Sequence, residues 1–63
     1  MLLYDLLDVI LFETDIKIVN QKKETLYRGE NIRVKNHVYN NVVDGVEHTK
    51  YYILVEVIEN ESK

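Results

Sequence analysis

The chain has 63 residues, with no cysteine, proline or tryptophan; 46% are hydrophobic, 30% are charged, and the formal net charge is −3. A chain of this length forms one small domain that hides only about 60% of the surface exposed by its unfolded form, so local structure or a partner subunit must reinforce a modest core. Without cysteine, disulfide staples and thiolate metal sites are excluded.

The longest apolar runs, Val9-Ile10-Leu11-Phe12 and Tyr51-Tyr52-Ile53-Leu54-Val55, fall far short of the roughly 20 residues of a membrane helix. No membrane association is expected, and the composition reads as that of a soluble, cytoplasmic chain. The leucine-rich start lacks a basic leader and a small-residue cleavage site and carries Asp5 and Asp8, so it reads as part of the folded domain rather than as a secretory signal.

Residues 1–12 place Leu3, Leu6, Leu7 and Ile10 at i, i+3, i+4, i+7 spacing among strong helix formers, which predicts an amphipathic helix. With Leu2, Tyr4, Val9 and Leu11, the apolar side chains fill an arc of about 220°, whereas a helix on one sheet needs only about 100°. Asp5 and Asp8 form the polar wedge, with Phe12 projecting between them. Either loops wrap the surplus, or the flank around Leu2, Val9, Leu11 and Phe12 is a dimer contact or docking face for another protein.

After Glu13-Thr14-Asp15 the period switches to that of a strand over 15–20, followed by a polar loop 21–24 and a second strand, Thr25-Leu26-Tyr27-Arg28, ending at Gly29. Like-charge repulsion between Lys17 and Arg28 favours pairing Lys17 with Tyr27 and Ile18 with Leu26. Asp44-Gly45 between Val43 and Val46 is a type I′ hairpin signal. That register sets Val38 opposite Tyr51, Val34 opposite Val55 and Ile32 opposite Val57, with Arg33 facing Glu56 and Asn41 facing His48. Asn36 and Asn40 interrupt the apolar face, so a bulge or short helical turn is expected around 35–41. The fold expected is α+β: an N-terminal helix packed on a three- or four-stranded antiparallel sheet of two hairpins, in one domain over 1–58 with a polar tail at 59–63. Asn60-Glu61-Ser62 in that tail matches the glycosylation acceptor pattern by chance.

Little here suits catalysis. The one serine, Ser62, lies in the tail, and no nucleophile sits in a recognisable motif. His37 and His48 could join Asp44 or Glu47 at a divalent cation, but the spacing matches no established site and both read as surface histidines. Asp5 and Asp8, one helical turn apart, are explained by the helix dipole. The chain is expected to be no enzyme, with no cofactor, metal or small-molecule substrate.

Charge is segregated. Residues 1–15 hold four acids (Asp5, Asp8, Glu13, Asp15) and no base, whereas 16–35 hold six bases, among them Lys22, Lys23, Arg28, Arg33 and Lys35. The basic stretch with Tyr27 and Tyr39 nearby could touch a phosphate backbone, yet a sequence pI near 5.2 opposes nucleic-acid binding.

The order Leu3-x-x-Leu6-Leu7-x-x-Ile10, Ile16-x-Ile18, Leu26-Tyr27-Arg28-Gly29-Glu30 and Tyr52-Ile53-Leu54-Val55-Glu56-Val57 resembles that of small uncharacterised phage and prophage accessory proteins. The resemblance implies a role in binding a host or phage protein in the host cytoplasm, and carries over no site residues. The leading expectation is a non-enzymatic interaction module that self-associates, as a dimer, and binds a protein partner. The alternatives are an acidic, anti-CRISPR-like inhibitor of a host nucleic-acid enzyme acting through Asp5, Asp8, Glu13 and Asp15, and a weak nucleic-acid binder.

Overall fold

The computed structural model describes residues 1–59. Helix α1 (Leu3–Val9) is followed by strands β1 (Asp15–Val19) and β2 (Thr25–Glu30), two 3₁₀ turns (Asn31–Arg33 and Asn36–Val38), and strands β3 (Val42–His48) and β4 (Ile53–Ile58). The chain is thus α+β, with one N-terminal helix on a four-stranded sheet of order β2-β1-β4-β3. Its outer pairs are antiparallel and its central pair, β1 with β4, is parallel, so the sheet is mixed rather than antiparallel throughout. A parallel pair needs a crossover connection. Within it, residues 31–41 run from the β2 edge to the β3 edge beside α1.

That crossing replaces the strand expected over this stretch. As a strand, Asn36 and Asn40 would have interrupted the apolar face; as two 3₁₀ turns, the segment buries Val34 and Val38 and leaves Asn36 and Asn40 exposed. The second turn lies where a break in the strand was expected. The core joins these two valines to Leu3 and Leu7 of α1, Ile16 and Ile18 of β1, and Val55 and Val57 of β4. Alternate strand residues share a face, so one face of the sheet is covered and the other, with Lys17, Leu54 and Glu56, is open.

The helix is shorter than its apolar pattern because the crossing segment brackets both ends. At the start, the Leu3 and Tyr4 amides donate to the carbonyls of Asn41 (2.8 Å) and Tyr39 (3.1 Å), so α1 needs no capping side chain. At the other end, buried Asn31 donates its side-chain amide to the carbonyls of Leu7 (3.0 Å) and Ile10 (2.9 Å). Ile10 is already extended, and Leu11 and Phe12 lie beyond the helix.

Both hairpins depart from the expected registers. Lys17 faces Arg28 and Ile18 faces Tyr27, the pairing that charge repulsion disfavoured. The Arg28 guanidinium instead stacks on the Tyr52 ring, 4.8 Å from its centroid, which gives the cation its own partner. Leu26 is an extra, bulged residue, since Val19 pairs with Thr25. Asn20 builds the turn: its side-chain oxygen accepts from the Lys22 and Glu24 amides, and its amide donates to Glu24 and Glu59. Glu59, assigned to the tail by its polarity, is therefore tied to the domain; the rest of that tail, with the acceptor-like Asn60-Glu61-Ser62, lies outside the described residues.

The second hairpin does not turn at Asp44-Gly45. Both residues lie inside β3, where Asp44 is bulged and Gly45 faces Glu56 at a φ that is not positive. The turn falls at 49–52, where the Thr49 hydroxyl accepts from the Tyr52 amide (3.0 Å) and donates to the Tyr52 carbonyl (2.7 Å). Val57 meets Val43 in place of Ile32, and Val55 meets Val46 in place of Val34, so these two valines keep apolar partners through the shift. Gly29, by contrast, has φ +152° and lies under the Tyr27 hydroxyl, which would sit 2.8 Å from any Cβ added there.

Candidate functional site

Between α1 and the crossing segment lies a groove of about 550 Å³, lined by Tyr4, Leu7, Asp8, Phe12, Asn31, Ile32, Asn36, Tyr39 and Asn40. Its size falls within the range of small-ligand and peptide pockets, about 300–1,000 Å³. Leu7 and Asn31 are buried and form its floor. Phe12 and Ile32 stand on the rim, 64% and 62% exposed, with Tyr4 at 46%. The shape follows from the strapping just described. The Ile32 amide donates to the Phe12 carbonyl at one end, and the Tyr4 amide to the Tyr39 carbonyl at the other, holding the two walls together.

The groove gathers Phe12 from the expected apolar flank and Asp8 from the expected acidic patch. Val9 and Leu11 lie at the same end of the helix and are the most exposed large apolar residues of the chain's described part. Leu2 departs from that set: it is half-buried and forms a bridge with Val42 at the β3 edge. Asp5, Glu13 and Asp15 are exposed outside the groove. Tyr4, Ile32, Asn36, Tyr39 and Asn40 went unrecognised. Tyr4 and Asp8, four apart on α1, share a helix face and signal part of one wall, but the opposite wall comes from a segment whose pattern reads as strand.

The basic residues are spread over separate elements. Lys22 and Lys23 lie at the β1–β2 turn, Arg28 on β2, and Arg33 and Lys35 on the crossing segment. Three have partners within the chain: Lys23 with Glu56, Arg28 with Tyr52, and Arg33 with Glu30 at 3.7 Å, not with the Glu56 expected from the sequence register. His37 lies on the second 3₁₀ turn and His48 at the end of β3, facing Ile53 rather than Asn41. Among the described residues, no three His, Asp or Glu side chains come together as a metal-binding group.

A smaller hollow of about 230 Å³ lies on the open sheet face over Gly45, lined also by Lys23, Val46, Glu47, Leu54 and Glu56. Lys23 donates to Glu56 there. That hydrogen bond holds the Glu56 carboxyl below the usual carboxylate range and the Lys23 ammonium above the usual lysine range. A carboxyl depressed by folding stabilises the fold above its unfolded value of about 4.3, and the contribution is lost as pH falls through the folded value. The raised lysine works in the opposite sense: its contribution is in place below about 10.4 and is lost as pH rises through the folded value. Urea midpoints are therefore expected to fall more steeply with acid in the parent than in Lys23→Met, with added salt narrowing the difference. Parallel acid profiles would show that the pair contributes nothing measurable.

Comparison of the chain with known protein families, curated proteins and solved structures returns no match. No described helix is long and apolar enough to cross a membrane.

Proposed function

We propose that the chain is a non-enzymatic protein-interaction module, an accessory protein of the phage or prophage type. In this reading it self-associates or binds a protein partner in the host cytoplasm, through the groove and the apolar end of α1 beside it. The observation that carries the reading is apolar exposure: Phe12 and Ile32 stay exposed on the groove's rim, and Val9 and Leu11, in the same segment as Phe12, stay exposed after the rest of the chain has packed. Exposed apolar clusters in small proteins commonly mark contact surfaces. The acidic-inhibitor alternative draws support from Asp5, Asp8, Glu13 and Asp15, all exposed on a segment without a base. Nucleic-acid binding is less favoured, because Lys23, Arg28 and Arg33 already have internal partners.

Sedimentation velocity over a wide concentration range tests the contact surface. The parent is expected to gain mass with concentration, and Leu11→Glu and Phe12→Glu to remain monomeric while unfolding at unchanged urea concentration. A strictly monomeric parent, no less soluble than either variant, would remove the self-association reading and leave the apolar rim without support as a contact.

A further inference from the structure

The groove's chemistry narrows the kind of partner it suits. Asp8 is its one charged lining residue, and Tyr4, Phe12 and Tyr39 bring three aromatic rings to the same hollow. Asp5, Glu13 and Asp15 lie outside the groove on a segment with no basic side chain among residues 1–15, so nothing on that segment offsets the Asp8 carboxylate at the helix wall. Arg33, next to Ile32 on the opposite wall, lies 3.7 Å from Glu30, which partly offsets its charge. Aromatic faces and a carboxylate together favour a cation with a flat, weakly hydrated head, which describes a guanidinium better than an ammonium. The chain itself places a guanidinium over a ring where Arg28 lies 4.8 Å from the Tyr52 centroid, closer than the Lys50 ammonium at 5.6 Å from that of Tyr51.

Asn36 and Asn40 stand on the rim four residues apart, both exposed. Their side chains take part in no hydrogen bond within the described chain. A side-chain amide offers both a donor and an acceptor, the complement of a peptide group. Ile32 and Phe12 supply an apolar shelf for a neighbouring side chain. We infer that the groove binds a short segment of a partner protein in which an arginine, flanked by an apolar residue, places its guanidinium between the aromatic rings and Asp8. This rests on the groove being a contact surface and specifies what that surface recognises.

The test uses the full chain and three fluorescein-labelled probe peptides with Leu-Arg-Leu, Leu-citrulline-Leu or Leu-Glu-Leu at their centres. Citrulline keeps the arginine shape and removes the charge. Anisotropy is expected to show the arginine probe binding about tenfold more tightly than the citrulline probe, with the glutamate probe weakest and added salt eroding the difference. Asp8→Asn, at an exposed position, is expected to bring the arginine probe to the level of the citrulline probe. Amide NMR shifts on adding the arginine probe should centre on Tyr4, Asp8, Ile32, Asn36 and Tyr39. Equal binding of arginine and citrulline probes at those residues would overturn the charge recognition while leaving the groove as a contact surface. Shifts there on concentrating the protein alone, with no response to any probe, would make a second copy the occupant and overturn the inference. Shifts at neither would remove both.

Discussion

Replacing Asn31 by leucine is expected to lower stability by about 2–3 kcal/mol, a large part of what a core this small supplies. Leucine keeps the branched shape and the number of side-chain heavy atoms while removing the amide. That amide ends α1 by donating to the Leu7 and Ile10 carbonyls, while the Asn31 backbone amide donates to the Thr14 carbonyl at 3.0 Å. Without it, the Ile10 carbonyl loses this donor and the Leu7 carbonyl keeps only the Ile10 amide at 3.3 Å, at a helix end that is partly buried. The groove floor would loosen as well, because Asn31 joins its two walls. Urea denaturation followed by circular dichroism measures the change. A variant within about 0.5 kcal/mol of the parent, the range of an ordinary surface substitution, would show that the helix end does not depend on this side chain.

Ile18→Ala should do still more, about 3–4 kcal/mol, which would leave a substantial unfolded population. Ile18 is fully buried on β1, paired with Tyr27 on one side and Val55 on the other. Truncation removes apolar burial and opens a cavity where two strands and the helix layer meet, and a central strand has little room to collapse. Ile18→Val, keeping most of the volume, is expected to cost about 1 kcal/mol, and Val9→Ala, at an exposed site, less than about 0.5. The ordering of these three midpoints is the critical result. If Val9→Ala destabilised the chain as much as Ile18→Ala, the helix flank would be part of the core rather than a free surface.

The elements carried by local pattern were legible. The spacing of Leu3, Leu6 and Leu7 marked the helix, and the alternation of Ile16 and Ile18 marked β1. What misled was short-range chemistry with a long-range competitor. Asp44-Gly45 suits a tight turn, but a turn there would commit residues 32–41 to a strand with Asn36 and Asn40 in its apolar face. The fold turns at Thr49 instead, absorbs Asp44 as a bulge and sets Val43 and Val46 opposite Val57 and Val55 rather than opposite each other. The Lys17–Arg28 pairing was rejected on charge alone, and the Tyr52 ring that accommodates Arg28 is distant in sequence.

The site divides the same way. Its helix side was legible in part, since the apolar arc that includes Phe12 exceeds what one sheet covers and Asp8 belongs to the acidic segment; Phe12 reaches the groove from beyond the helix end. Its other wall was not, because Ile32, Asn36, Tyr39 and Asn40 reach it only when residues 31–41 cross the sheet. The sequence by itself determined the helix, the first hairpin's two strands and the surplus of apolar side chains, since these depend on neighbours within a few residues. Tertiary structure decided where the helix stops, where the chain turns and which residues share the groove, because buried backbone groups take their partners wherever the folded chain brings them, as Asn31 does for Leu7.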